Sequence, residues 1–316
     1  APAVGPSAGG WLSETFGWRA IFAALLPILL IAFALGIFSI RQSHDITAES
    51  FDFPGWISLA LAFAALVFAV DEGANVGWTS PFIIALFAAF IVLLALFIVR
   101  ERRAGQPLIH LGIFKYRGYV CGLGVIAFLQ FTILGLSFLL PNHAQLALGA
   151  GQTEAGSVLL WGCILGAAMA PISGQILDRA GARLPILGGA ALALVATVIF
   201  ALIAPTMTTF HSILVYAVFA AGQSLMYGNN MTCALRFLPA EIKADGNAMF
   251  TTLQQLSGAI GTSVCAAVVN AAQVGATGDA LAGATAAGTQ HACMLLVVTV
   301  AISFTCAVAE TARIKR

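Results

Sequence analysis

The sequence predicts an all-α membrane protein that crosses the bilayer many times. Of its 316 residues, 60% are hydrophobic and 9% are charged, whereas soluble domains are about 45–50% apolar and about 25% charged. Nine stretches have the roughly 20 apolar residues that a helix needs to cross a bilayer core of about 30 Å. Strands exposed to lipid would leave backbone groups unpaired, so each stretch is predicted to be helical.

The nine predicted spans have no Lys or Arg in their apolar bodies. They cover residues 18–40, 54–72, 79–99, 118–141, 155–177, 185–204, 212–235, 246–272 and 290–309. Residues 1–12 have the composition of the tail of a tenth span. Of the connections, the charged segment 100–117 is predicted to link two bundles, and the Ala-, Gly- and Thr-rich segment 273–289 is predicted to be a flexible loop.

The positions of the basic residues predict the orientation of the spans, because Lys and Arg gather on the cytoplasmic side of a membrane. If residues 1–17 end outside, nine crossings place the C-terminus in the cytoplasm. Of the 14 basic residues, all except Arg19 then fall in inner segments. A wrong span count would break this alternation. We therefore predict a multi-pass protein of the cell membrane with a cytoplasmic C-terminus.

The remaining composition argues against several other classes of protein. The net charge of +1 gives no indication of nucleic-acid binding. The six cysteines form no CxxC pair and the five histidines are scattered, so we predict no metal site and interpret the cysteines as small buried hydrophobes. The chain has neither a P-loop pattern nor a polar catalytic cluster, so we predict no cofactor, no direct use of ATP and no enzymatic activity.

A GPxxGG motif lies within residues 1–12, at the end of the truncated tenth span. It is formed by Gly5, Pro6, Gly9 and Gly10. Gly and Pro kink a membrane helix and let a neighbouring helix approach closely. By itself the motif does not distinguish a functional motif from an ordinary site of helix packing at the end of a span. The pair Trp18-Arg19, with Phe22 after it, makes the pattern more specific.

A second motif occupies the predicted inner loop between the spans 155–177 and 185–204. It consists of Gly174, Asp178, Arg179, Gly181 and Arg183. Glycine permits the tight turn that reverses the chain, and the carboxylate can pair with either arginine. Two interpretations remain open: a short positive hairpin loop, or a charge latch that holds one conformation of a transport cycle.

Given these motifs, the sequence resembles the major facilitator superfamily, and more closely its fourteen-span drug:proton antiporters of the EmrB/QacA type. The resemblance implies that GPxxGG is the antiporter motif of the fifth span. It also implies a fragment with three parts: the end of the N-terminal bundle (1–45), an extra two-span hairpin (46–103) and a complete C-terminal six-helix bundle (104–316). We expect that such a piece, which begins at Ala1 inside a motif, does not transport alone.

Neutral polar residues within the spans suggest a substrate cavity, because an unpaired amide in lipid is energetically expensive. The candidates are Gln130, Phe131, Trp161, Met226, Asn229, Gln254 and Gln255. By the resemblance, spans 118–141 and 212–235 correspond to the seventh and tenth spans, which face the central cavity. Alternatively, the amides join helix to helix.

The acidic residues do not indicate where a proton would bind. All 13 lie in loops or at the ends of spans, whereas a proton-carrying carboxylate usually lies within a span. The resemblance implies that such acids belong mainly to first-half spans that this chain lacks. Asp71 and Glu72 are the nearest local candidates, and solvated helix ends are the alternative role for them.

The predicted function is secondary active transport: proton-coupled export of drugs or other amphiphilic small molecules by alternating access. Its partners would be the small-molecule substrate, protons and the lipid bilayer, and the sequence does not decide whether a periplasmic adaptor binds. Two alternatives stay open. One is an exporter of the same fold that is dedicated to one antibiotic, siderophore or metabolite. The other is a membrane enzyme or a non-transporting scaffold.

Overall fold

The computed structural model of the chain describes residues 5–39, 52–103 and 108–314, and within those ranges every regular element is helical. The α-helices are α1 (Gly5–Phe16), α2 (Arg19–Ser39), α3 (Phe53–Val76), α4 (Pro81–Glu101), α5 (Arg117–Leu146), α6 (Gln152–Ala180), α7 (Arg183–Ile203), α8 (Thr209–Leu235), α9 (Lys243–Gln273) and α10 (Asp279–Thr311). Short 3₁₀ turns precede α5, α8 and α9.

Nine of the described helices, α2 to α10, are long and apolar enough to cross a membrane. The predicted all-α membrane fold is therefore confirmed. Several helices extend beyond the predicted spans; α5, for example, continues to Leu146. Apolar composition identifies the part of a helix that lies in the hydrocarbon core, but hydrogen bonding carries the same helix on through the polar interface.

The prediction of a flexible loop over residues 273–289 is wrong from Asp279 onward, where α10 begins. The small residues of this segment serve close helix packing instead. A Cβ on Gly288 would lie 2.9 Å from the Cα of Val269 on α9. Thr285 is fully buried, and its hydroxyl accepts a hydrogen bond of 2.7 Å from Gln273 Nε2. Ala and Gly are common both in linkers and where two helices touch, which explains the error.

Helices α5 to α10 form one bundle, in which α5 packs against α9 and α10, α6 against α8, and α7 against α8 and α10. Its buried side chains form a continuous apolar core that includes Leu136, Phe200 and Phe219. Glycines bring the backbones together where α7 crosses α8. A Cβ on Gly222 would lie 2.6 Å from the carbonyl oxygen of Gly189. Such close crossings are typical of helices packed within lipid.

Helices α3 and α4 form a separate pair, and α3 also packs against α9. Asp52 precedes α3 and accepts a hydrogen bond from the backbone N–H of Gly55 at 3.2 Å. Arg100 Nη2 lies 2.7 Å from the same carboxylate, and its hydrogen bonding lowers the pKa of the Asp52 carboxyl below the usual range. The predicted domain boundaries at 45/46 and 103/104 fall at or beside residues outside the described ranges and stay predictions.

Several basic residues lie together at one end of the bundle, which we call the basic end. Arg183 Nε donates a hydrogen bond of 3.2 Å to the carbonyl oxygen of Thr311, in the last turn of α10. A cavity at this end is lined by Arg183 together with Arg236 and Ile314. The clustering agrees with the alternation on which the orientation was predicted, and the cytoplasmic location of this end remains a prediction.

Candidate functional site

A cavity of about 490 Å³ lies among α5, α6, α8 and α9. Its polar lining residues are Gln130, Ser137, Tyr216, Gln223, Ser224, Tyr227 and Gln254. The rest of its wall is apolar or small and consists of Ile133, Leu134, Leu159, Gly162, Cys163, Gly166, Ala167 and Ala220. Amide and hydroxyl groups thus project into a mainly apolar space, which is the usual composition of a small-molecule site.

Two glycines of α6 shape this cavity. A Cβ on Gly162 would collide with the ring of Tyr216, and one on Gly166 would lie 2.8 Å from Ser224 Oγ. The two glycines are four residues apart, so they lie on the same face of α6. Their small size lets the polar side chains of α8 lie directly against the α6 backbone and stay at the cavity wall.

Two of the predicted cavity residues line this space, namely Gln130 and Gln254. Gln130 on α5 is only 8% exposed, so its amide is held within the bundle rather than in lipid. Gln254 reaches the cavity from α9. Each of these side chains brings both a donor and an acceptor into the space.

The structure places the other five candidates away from the cavity lining. Asn229 Nδ2 donates hydrogen bonds to Ser173 Oγ at 2.8 Å and to the carbonyl oxygen of Leu225 at 2.9 Å. It therefore joins α8 to α6, which is the alternative that the sequence left open. Met226 is fully buried and lies against Gly189 of α7.

Phe131, Trp161 and Gln255 are kept out of the cavity lining by the rotation of their helices. Phe131 packs against the bundle core, and its backbone carbonyl is in contact with Gly261 of α9. Trp161 is 57% exposed on the surface of α6, and Gln255 is exposed on α9. A neighbour one position along a helix points about 100° away, so Gln254 and Gln255 have different surroundings.

The sequence reasoning missed Ser137, Tyr216 and Gln223 as lining residues. A helical spacing connects Ser137 to Gln130, which was found, and connects the two missed residues of α8 to each other. Ser137 follows Gln130 by seven residues, and Gln223 follows Tyr216 by seven residues. Two helical turns separate the members of each pair, which places them on one face. Polar residues that recur at this spacing within apolar spans would have identified the cavity face.

The GPxxGG motif lies at the beginning of α1, which packs against α6. Of its glycines, Gly10 makes the close contact: a Cβ there would lie 2.6 Å from the carbonyl oxygen of Gln152. Gly5 and Gly9 have open space where a Cβ would point. Pro6 belongs to the helix, and its side chain lies outside the described part of the structure.

Glu14 was not singled out from the sequence, yet it makes a specific contact one turn after the GPxxGG motif. Its carboxylate accepts a hydrogen bond of 2.8 Å from the backbone N–H of Thr153, in the first turn of α6. This contact lies at the end of the bundle opposite the basic end. It joins α1 to the six-helix bundle through a backbone group of α6.

The loop motif spans the end of α6 and the beginning of α7. Gly181 has a φ of 77°, which favours glycine, and its N–H donates to the carbonyl oxygen of Leu177 at 3.0 Å. Gly174 lies within α6 with open space beside it. Within the described ranges no ion pair joins Asp178 to either arginine of the motif; Asp178 and Arg179 are exposed instead.

Asp71 and Glu72 lie near the end of α3, outside the cavity lining, with Asp71 exposed and Glu72 half-buried. A different acid is buried. Glu310, in the last turn of α10, has no exposed surface. In the sequence Glu310 stands at the end of a predicted span, next to the basic C-terminal residues. No sequence feature therefore distinguished it from the solvated acids.

The fold and this cavity define a multi-pass α-helical membrane protein with a partly polar, ligand-sized space inside its bundle. The family model for the Major Facilitator Superfamily matches residues 53–262. The chain belongs to this superfamily, and the resemblance seen in the sequence is confirmed.

Among similar curated proteins, the lincomycin resistance protein LmrB of Listeria monocytogenes is 33% identical over 274 residues, which are 86% of this chain and 58% of that protein. The multidrug resistance protein Stp of Mycobacterium tuberculosis is 28% identical over 268 residues, 85% of this chain and 50% of that protein. The chain thus spans about half the length of the curated relatives it matches.

A solved structure shares the fold. The crystal structure of an auto-inhibited POT family peptide transporter superposes with a TM-score of 0.55 and 17% identity, and the match covers 99% of this chain and 68% of that one. At this level of identity the likeness concerns the fold alone.

Proposed function

We propose that the protein carrying this chain is a secondary active exporter in the cell membrane that expels drug-like amphiphilic molecules in exchange for protons. The single observation that carries the proposal is the cavity of about 490 Å³ among α5, α6, α8 and α9. Its volume falls within the roughly 300–1,000 Å³ of typical small-molecule sites. The names of LmrB and Stp as resistance proteins support export of drugs.

The chemistry of the cavity suits uncharged or weakly polar compounds. Of the described residues that line it, none is charged. Gln130, Gln223 and Gln254 offer both donors and acceptors, and aliphatic side chains provide the remaining contact surface. A site of this kind recognises a substrate by shape and apolar contact, with a few neutral hydrogen bonds, and therefore accepts several chemical classes.

Alternating access requires contacts that close one end of the cavity at a time. The contacts of Gly10 with Gln152 and of Glu14 with Thr153 hold α1 against α6 at the end opposite the basic end. With the orientation predicted from the basic residues, this is the outer end. We propose that these contacts close the outer entrance, and that the GPxxGG motif lets α1 approach closely enough for it.

The loop motif would act at the other end. Arg183 holds the last turn of α10 through the carbonyl oxygen of Thr311. Asp178 and Arg179, in the last turn of α6, are exposed and form no ion pair among the described residues. We propose that these exposed charges pair with other groups in a second conformation, as the latch interpretation of the sequence requires.

A dedicated exporter of one compound is the second candidate function. The name of LmrB, a relative at 33% identity, refers to a single drug, lincomycin. The same cavity serves this function if its amides match one substrate more closely than others.

Resistance measurements distinguish these functions. The protein that carries this chain is expressed in a bacterium without its own exporters, and growth is tested with lincomycin and with chemically unrelated dyes and biocides. Protection against several unrelated compounds is the expected result, and protection against only one supports the dedicated exporter. If no compound is tolerated better than with empty vector, export is excluded for that panel, and efflux that persists with an uncoupler rules out proton exchange.

A further inference from the structure

Glu310 lies in a closed space at the basic end of the six-helix bundle. The residue has no exposed surface, and neither of its carboxyl oxygens has a hydrogen-bond partner among the described residues. Space for the carboxyl group comes from a glycine on α5. A Cβ on Gly122 would lie 3.1 Å from Glu310 Oε1 and would collide with the Cβ of Ala234 on α8. Helices α5, α8 and α10 therefore meet around this group.

A second unpaired acceptor lies beside the same glycine. Asn230 on α8 is fully buried, and its Nδ2 donates a hydrogen bond of 3.1 Å to the carbonyl oxygen of Gly122. Its Oδ1 atom has no partner in the described part of the chain. Two residues that contact Gly122 therefore carry unpaired oxygens among the described residues: both carboxyl oxygens of Glu310 and the Oδ1 atom of Asn230. Buried polar atoms are normally paired, so this excess of acceptors needs an explanation.

Among residues 108–314, no cation forms an ion pair with the Glu310 carboxyl group. The titratable and charged groups that face this region are Cys121 on α5, Arg183 on α7, Cys233 and Arg236 near the end of α8, and Cys306 and Arg313 on and after α10. Arg183 donates to the backbone carbonyl of Thr311, and Arg313 donates to that of Ala309. Glu310 forms no ion pair within residues 108–314.

An ionised carboxylate without a cation or a donor is not stable in such a place, because burial removes the water that stabilises its charge. A bound proton removes the charge and gives the carboxyl group one O–H donor. From the burial of Glu310 and its lack of partners we propose that Glu310 is a proton-binding site, occupied in the conformation described here.

The proposed route for proton release leads through the basic-end cavity. Arg236 and Ile314 line that cavity, and Ile314 lies four residues after Glu310, just beyond the end of α10. If α10 moves away from α5, water enters and the Glu310 O–H bond breaks. The proton passes to water as hydronium, and the electron pair stays on the carboxylate, which the arginines then stabilise. The use of this site in exchange rests on the proposed function, whereas proton binding itself does not.

Infrared difference spectroscopy of the full chain in lipid nanodiscs measures this protonation without any transport. The C=O band of a protonated carboxyl is expected in the wild type at neutral pH and is expected to disappear in Glu310→Gln. The exposed residue Glu241 provides the control, since Glu241→Gln removes a solvated carboxylate and should leave the band unchanged. A band that survives Glu310→Gln, or an ionised carboxylate that depends on added sodium, overturns the proposal.

Labelling of the wild type covers the case in which Glu310→Gln does not fold. A hydrophobic carbodiimide modifies protonated carboxyls in apolar surroundings, and mass spectrometry of the peptides locates the product. Modification of Glu310 but not Glu241 is expected, with loss of the product at alkaline pH. Equal or absent labelling of Glu310 overturns the proposal. Because neither measurement involves export, this failure is distinct from a negative resistance assay.

Discussion

The carboxylate of Glu14, near the end of α1, accepts a hydrogen bond of 2.8 Å from the backbone N–H of Thr153, in the first turn of α6. The first N–H groups of a helix have no partner within the helix, and a negative charge near them is favourable. Glu14 therefore caps a helix that begins 138 residues later in the chain, at Gln152. The contact connects two elements whose relative movement would open the end opposite the basic end.

Replacement of Glu14 by Gln is expected to open this contact more often, because a neutral amide interacts more weakly with the helix terminus than a carboxylate does. The reaction of an impermeant maleimide with Thr153→Cys reports the change. Faster labelling is expected when Glu14→Gln is present. The exposed residue Glu241 serves as the control, and an equal effect of Glu241→Gln would contradict the assignment.

Substitution of Gln254 by Ala is expected to weaken substrate binding. A neutral hydrogen bond contributes about 0.5–1.5 kcal/mol net, which corresponds to about two- to tenfold in affinity. The matched control is Gln255→Ala, because Gln255 is exposed on the same helix and does not line the cavity. Binding of a fluorescent dye to the purified protein measures the difference, and similar losses in both variants would show that the cavity is not the binding site.

The substitution Asn229→Ala is expected to destabilise the bundle. Asn229 is 5% exposed, and its removal leaves the oxygens of Ser173 and Leu225 without this donor. Loss of a buried partner costs about 1–3 kcal/mol. Thermal unfolding in detergent should show a lower midpoint for this variant. Thr232→Ala, at an exposed position of the same helix, should unfold like the wild type.

Two glycines of α8 should respond in opposite ways to the same change. A Cβ on Gly222 would meet the carbonyl oxygen of Gly189 at 2.6 Å, so Gly222→Ala should force α7 and α8 apart at a cost of about 1–3 kcal/mol. A Cβ added to Gly228 would point into open space. Because Ala favours the helix over Gly by about 1 kcal/mol, Gly228→Ala should be neutral or stabilising. Destabilisation by both substitutions would argue against the packing described for α7 and α8.

The contact of Asp52 with Arg100 should make the α3–α4 pair sensitive to acid. Hydrogen bonding to Arg100 lowers the pKa of Asp52 below its ordinary value of 3.8. The stabilisation is therefore fully present above that value and is lost as the pH falls through the lower folded-state pKa. The difference in unfolding temperature between wild type and Asp52→Asn should shrink at acid pH. The control is Asp71→Asn, at an exposed position of α3, and an equal trend in that variant would contradict the assignment to the Asp52–Arg100 contact.

The sequence predicts the number and nature of the spans because a helix that crosses lipid must be apolar over most of its length. It does not predict which face of a helix points into the cavity, since both faces of a span in a membrane bundle can be apolar. Gln130 and Asn229 are both amides within spans, yet one lines the cavity and the other joins two helices. Only the rotation of α5 and α8 distinguishes them.

Glu310 shows the same limit for a charged residue. Its position near the end of a span suggests contact with water, and the neighbouring Arg313 supports that interpretation. Its burial depends on Gly122, which is distant in the chain and leaves room for a carboxyl group on α10. A local pattern contains no information about a gap that a residue on another helix provides.

The absence of charged side chains among the described cavity residues has an electrical consequence for the proposed exchange. If an uncharged drug moves from one face of the membrane to the other within this uncharged cavity, that step transfers no charge across the electric field of the membrane. Membrane voltage, which contributes about 2.3 kcal/mol per elementary charge at 100 mV, then acts only on the protons. The number of protons moved per drug molecule alone would determine how strongly voltage drives the cycle.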